Sequence, residues 1–431
     1  MKIRSHHPVP LCAAVLVLAG AVGVVCTTIA LGACGAKGCG GPTTPTASPS
    51  TAVTSPATTP SPPSPSGSAA SPSPVTRQLV IAAASGVKGN GLSVISSTGH
   101  VRQLLAPGGG PLRNLAWSPD GARLAYLQSR SRDDYKARLW WYDATTAETK
   151  QVVFPNEDNE AWVSGFTWVG PTELVASVLA GGPPYSPGSG PSYRANGVLW
   201  RCDVAADRQT TVRDDDGELL RGSSPSSSAD GAKIAYVFYG PKSGTTGTEK
   251  LMVFDADDGK RTVVRKGEYP LDTDGDQFAY PLISSDGSMI VALETGNDPG
   301  FTCRVYRLDG SIALQTGDLA WGAPGSWSSD GRLAFAGASH LDEAPWWADS
   351  IRVWQPPSAT SKAILRPVTP WITSLAWSPK ATQIAFSRAP YTGDPSQQGA
   401  LWVVDRDGTN KHMLLAHGSW PAWAMAPVSI R

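Results

Sequence analysis

Few of the side chains able to do chemistry are spaced to do it together. The six histidines stand at positions 6, 7, 100, 340, 412 and 417 of 431 residues, and no His-Glu-x-x-His pattern relates them. A zincin site, which needs two imidazoles one helical turn apart, is excluded. No Gly-x-Ser-x-Gly elbow presents a nucleophilic serine, which argues against α/β-hydrolase chemistry. Neither a P-loop nor a dinucleotide-binding glycine fingerprint occurs, so no cofactor is expected. Asp272-Thr-Asp274-Gly-Asp276 opens like a calcium loop, but Ile283 stands where an EF-hand carries its closing glutamate. A solvated acidic loop and a bound calcium are the two readings there. His340, Asp342 and Glu343 read likewise as a polar surface loop or a fragment of a metal site.

What the sequence does offer is aromatic rings beside charges. Tyr135 follows Asp133 and Asp134, Trp346 and Trp347 follow Asp342 and Glu343, and Tyr185 and Tyr193 share a Gly/Pro-rich stretch with Arg194. Such groups suit a protein, peptide or glycan partner, since rigid aromatics lose little rotamer entropy on contact. Loop packing is the structural alternative. Nucleic acid is not an expected partner. The 36 Lys+Arg balance 36 Asp+Glu, and beyond residue 76 the balance is 33 basic against 36 acidic, whereas phosphate recognition calls for a basic excess.

These residues need elements to hold them, and the N-terminus is not among those elements. Lys2 and Arg4 precede a run from Leu11 to Ala33 without a charge, which ends in Leu31-Gly32-Ala33-Cys34. The segment 1–34 is read as a targeting segment. Its end resembles the bacterial lipobox, which implies lipidation at Cys34; an uncleaved membrane-anchoring helix is the alternative. Both place the rest of the chain on the extracytoplasmic face of the cell membrane, because the positive end stays inside. Residues 35–76 form a Pro/Ser/Thr-rich linker. Of the 35 residues in 42–76, 27 are Pro, Ser or Thr and none is charged, too little apolar surface to offset the entropy of ordering.

Residues 77–431 repeat. Leu115-Ala-Trp-Ser-Pro-Asp-Gly-Ala-Arg-Leu-Ala-Tyr126 recurs around Trp327 and Trp377, and more weakly around Trp168, Ser227 and Ile283. With Trp423, the column positions are 117, 168, 227, 283, 327, 377 and 423, a period near 50. Each copy reads as four strands: the Trp strand, a Pro-Asp-Gly turn, a Leu/Ile-Ala-aromatic strand, a third strand ending in Asp143, Asp203, Asp255 or Asp405, and an outer strand. Four short strands per period of about 50 indicate an all-β propeller. The domain opens at Leu79 on a second-type strand and ends at Trp423 on a first-type strand, so the C-terminal strand is expected to complete the first blade. That count gives seven blades, with six or eight as alternatives.

The W-S-P-D-G turn followed by an I-A-F strand resembles the TolB-like, WD40-like propeller repeat of bacterial envelope proteins. The resemblance implies a binding or scaffold module of the cell envelope. A sensor part of a membrane signalling complex, and a glycan-directed hydrolase or lyase, are alternatives that the same fold serves. Partner contacts are expected on the long second-to-third connections, 129–136, 181–196, 240–248, 337–350 and 389–399. Trp162, Trp321 and Trp371 each precede the column by six residues and stand at that same end, as plugs of the ring or as a stacking surface. Cys202 and Cys303 fall in third strands of non-adjacent blades and are read as buried hydrophobes rather than a disulfide.

Overall fold

The Leu/Ile-Ala-aromatic segments are apolar at every position, and such a strand must be covered on both faces. The structure, a computed structural model, covers them with neighbouring blades. It describes residues 80–428 apart from 87, 97–98, 107, 131–135, 156–160, 180–195, 244–245, 271–277, 296–300, 320–324, 338–347, 367–370 and 390–398. Every regular element among the described residues is a β-strand.

The strands run as successive antiparallel meanders. The first contains β1 (Val80–Ser85), β2 (Gly91–Ser96) and β3 (Val101–Leu105). The second is β4 (Leu112–Trp117), β5 (Arg123–Ser129), β6 (Ala137–Asp143) and β7 (Thr149–Gln151). The third is β8 (Trp162–Trp168), β9 (Glu173–Leu179), β10 (Gly197–Asp203) and β11 (Arg208–Thr211). The fourth is β12 (Arg221–Ser227), β13 (Lys233–Ser243), β14 (Thr246–Asp255) and β15 (Arg261–Pro270). The fifth is β16 (Phe278–Ile283), β17 (Met289–Thr295), β18 (Phe301–Arg307) and β19 (Ile312–Leu319). The sixth is β20 (Ser326–Trp327), β21 (Leu333–Gly337), β22 (Ser350–Trp354) and β23 (Lys362–Leu365). The seventh is β24 (Trp371–Trp377), β25 (Gln383–Ala389), β26 (Ala400–Asp405) and β27 (His412–Leu415). Last, β28 (Gly418–Trp423) pairs with β1, Ile81 opposite Trp423 and Ser85 opposite Gly418, and completes the first blade. The inner strands touch in the circuit β4, β8, β12, β16, β20, β24, β28 and back to β4, so the ring is closed.

The core is a set of wedges between blades. Leu124 and Tyr126 of β5 pack toward the first blade, while Ala125 and Leu127, one residue out of phase, pack toward the third. The period-2 alternation of a strand thus feeds two separate cores. The same division recurs around the ring, each seam holding one apolar cluster from two adjacent blades. Outer strands such as β3, β7, β11 and β27 are short and largely exposed, which limits pairing at a sheet edge.

Two departures from the regular pattern stand out. The sequence reads 240–248 as a loop, yet pairing continues to Lys242 opposite Gly247 and Ser243 opposite Thr246. Its Gly and Pro residues lower strand propensity, but hydrogen bonding to β15, which runs on to Pro270, holds it extended. The third and fourth blades are also not separate sheets. Gly197 and Val198 of β10 pair with Gly222 and Arg221 of β12, joining both blades into one sheet.

Candidate binding site on the inner strands

The repeat signature itself turns out to be a fastening. Ser118 is buried in the turn after Trp117; its hydroxyl donates to Asp120 Oδ1 at 2.6 Å and accepts the Arg123 N–H at 2.9 Å. Ser228 with Asp230, and Ser328 with Asp330, repeat the arrangement at 2.6 Å. Bonding from the Ser228 hydroxyl and the Ala232 N–H holds the Asp230 carboxyl below the usual aspartate range. Gly121 closes its turn at φ +71°, a conformation that favours glycine. Ser and Asp here pin a hairpin.

The column residues fasten blade to blade. Trp168 Nε1 donates to Ala116 O of the preceding blade at 2.9 Å, and Trp327 Nε1 to Leu282 O at 3.0 Å. Trp117, Trp377 and Trp423 occupy the equivalent seams. The residue before the column position adds a second link where it carries a hydroxyl. Thr167 Oγ1 accepts the Ser227 N–H at 3.1 Å, Ser226 Oγ the Ile283 N–H at 3.2 Å, and Ser326 Oγ the Trp377 N–H at 3.1 Å. These N–H groups lie on the inner edge of the innermost strands, where the ladder has no further strand to receive them.

Three residues before the column, the inner strands bulge. Register shifts fall between Arg113 and Ala116, Ser223 and Ser226, and Ala279 and Leu282. At each bulge a non-glycine residue takes a left-handed backbone: Asn114 at φ +52°, Ser224 at +51°, Tyr280 at +50° and, in the closing strand, Trp420 at +54°. Each such residue costs roughly 1–2 kcal/mol of backbone strain. Gly165 and Ser374 occupy the same place in the third and seventh blades. A Cβ on Gly165 would lie 3.1 Å from Ser224 Cα, and the Trp420 N–H donates to Ser374 Oγ at 3.2 Å. At two seams, third to fourth and seventh to first, these positions adjoin from blade to blade; the sixth blade's counterpart, position 324, lies outside the described residues. Tyr280 is 50% exposed, while Asn114, Ser224 and Trp420 are half-buried. The left-handed residues thus recur at one offset in four blades, the first, second, fourth and fifth, and backbone outliers of this kind often cluster at functional sites.

Carboxylates and imidazoles are missing from these positions. The seven inner strands, as described, carry Arg113, Arg221 and Tyr280 as their ionisable residues, with no Asp, Glu or His. The deeply buried carboxylates lie elsewhere and are engaged. Glu249 accepts the Phe278 N–H at 3.0 Å, Glu294 pairs with Arg304 and accepts the Tyr306 hydroxyl at 3.0 Å, and Asp214 pairs with Arg261.

Of the residues singled out in sequence, Trp162 opens β8 and is 8% exposed. Trp371 opens β24, but its side chain lies outside the described residues, as do Trp321, Trp346, Trp347, Tyr135, Tyr185 and Cys34. The Asp272–Asp276 stretch and His340, Asp342 and Glu343 also fall outside them, as do most of the long second-to-third connections. Cys202 and Cys303 are buried free thiols, in the third and fifth blades. The bulges escaped the sequence reading, although Asn114, Ser224, Tyr280 and Trp420 share one offset from the column. Their types differ too much to be seen as one feature.

No protein-family model matches the chain, and no curated protein matches it. Solved structures do. A puromycin hydrolase mutant is 13% identical over 81% of this chain and 56% of its own, with a TM-score of 0.53. Oligogalacturonate lyase in complex with manganese is 15% identical over 79% of this chain and 85% of its own, at 0.50. TolB from Acinetobacter baumannii is 13% identical over 82% and 68%, at 0.42. At such identities the likeness is one of fold, a β-propeller, and the neighbours include enzymes as well as TolB.

Proposed function

We propose that this protein is a binding module of the cell envelope, a propeller held on the extracytoplasmic face of the membrane that engages a protein or glycan partner at the bulges of its inner strands. One observation carries the reading: strained, non-glycine residues at one offset in four blades, Tyr280 among them exposed, on inner strands that, among the described residues, carry no carboxylate or imidazole. Recognition needs aromatic area and hydrogen-bonding groups, whereas glycoside cleavage needs two carboxyl groups about 5–10 Å apart. The propeller fold gives the rigid frame. The charge-free run ending at Cys34 and the Pro/Ser/Thr-rich segment after it are consistent with a lipid anchor and a spacer.

The test is capture from solubilised membranes with the anchored full-length protein, wild type against Tyr280→Gly. Glycine accepts φ near +50° without strain, so the variant should melt no lower than wild type while losing the partner. Undiminished capture by a stably folded Tyr280→Gly protein would reject the bulges as the binding surface. For the anchor, Cys34→Ala should abolish incorporation of a palmitate analogue.

A further inference from the structure

Beside the sheet that joins the third and fourth blades lies an open, solvent-facing cleft of about 400 Å³. After β11 the chain does not cross directly to the next inner strand. It forms a small hairpin, with Arg213 bridged to Leu219 and the Asp214 N–H donating to Glu218 O at 3.0 Å. The hairpin leans on the fourth blade, where the Asp215 N–H donates to Gly259 O at 3.1 Å. Between hairpin and blade stand Arg213, Arg221 and Arg261, with Glu218 and the ring of Phe238. The volume lies within the usual ~300–1,000 Å³ of small-molecule pockets.

The lining carries three arginines and one carboxylate residue, Glu218. Two of the arginines are held in place. Asp214, its side chain 1% exposed, pairs with Arg261, and Arg213 Nη1 donates to Gly217 O at 2.6 Å. Arg221 has its backbone fixed by pairing with Val198, but its exposed guanidinium has no partner among the described residues. Phe238 is half-buried, with Lys250 Nζ 5.6 Å from its ring centroid, a fourth cation at the aromatic wall. Asp215 and Asp216 carry the remaining acidic charge on the hairpin and are outside the lining.

We propose that this cleft binds a compact ligand bearing a phosphate or carboxylate, its oxyanion held between Arg213, Arg221 and Arg261 and its body laid on Phe238. Guanidinium forks match both anions bidentately. Arg221 shares β12 with the bulge residue Ser224, but none of the left-handed bulge residues lines the cleft.

Isothermal titration of the full-length protein with glucose 1-phosphate, glucuronate and neutral glucose tests the assignment. Binding of either anion with no binding of glucose is expected, and which of the two binds tells phosphate from carboxylate. Arg221→Ala should weaken it at least about tenfold, a loss equivalent to about 1.4 kcal/mol, with the melting temperature unchanged because the side chain is exposed. Arg221→Lys should restore part of it. Neither anion binding above the glucose level, or binding indifferent to both Arg213→Ala and Arg221→Ala in folded protein, would overturn the proposal.

Discussion

Trp168 shows what a single side chain does in a ring. Its indole fills the seam between two blades and its nitrogen reaches a carbonyl on the neighbouring inner strand, so one residue seals an apolar wedge and ties two sheets. Trp168→Ala should lower stability by roughly 3–5 kcal/mol, the cost of emptying a large aromatic site, measurable by chemical denaturation. Ser226→Ala, which strands only the Ile283 N–H, should cost about 1 kcal/mol. The two buried thiols offer a second check. Burial pushes both Cys202 and Cys303 up to about 12, so at pH 8 almost no thiolate is present to react. Native protein should leave both unlabelled by iodoacetamide, and denatured protein should label fully. Prompt native labelling would contradict the packing described.

At the scale of the element, the aspartates that end the third strands acquire a reason. Asp143 Oδ1 accepts the Thr145 and Thr146 N–H groups at 2.8 and 3.0 Å, and Asp203 does the same for Ala205 and Ala206 at 3.1 Å. Four residues after that aspartate the turn needs a left-handed residue. Gly259 serves at φ +74°, while Ala147 stands at +62° in the same place, each N–H bonded to the aspartate carbonyl at 2.9 Å. Ala147→Gly should therefore stabilise the protein by about 0.5–1 kcal/mol, strain relief outweighing the glycine's greater entropy. Differential scanning calorimetry should show a rise of about one to two degrees; a fall would contradict the turn geometry.

For the whole molecule, closure is the decisive contact. β28 supplies the innermost strand of a blade whose other strands come from the start of the domain, and Trp423 packs in the seam with the seventh blade. Removing residues 419–431 should open that blade, expose the edge of β1 and abolish cooperative thermal unfolding, with aggregation as the visible sign. A truncated protein that melted like the full-length chain would show that the ring holds without this strand.

The sequence by itself determined the periodic features: strands from alternation and apolar runs, turns from Pro-Asp-Gly, the four-strand unit, and closure from incomplete first and last copies. All of these depend on residues near one another in the chain, or on one motif repeated, so local chemistry writes them plainly. It also marked Trp168 and Trp327 as equivalent, without revealing what their indoles reach. The tertiary structure alone decided the rest. The Ile283 N–H meets Ser226 across 57 residues, and whether a hydroxyl is useful before the column depends on the blade it faces. Arg213 and Arg261 line one cleft because an irregular hairpin folds onto the next blade, and no spacing rule encodes that approach. Contacts set by the packing of one repeat on another have no local signature, which is why the frame was legible and the sites were not.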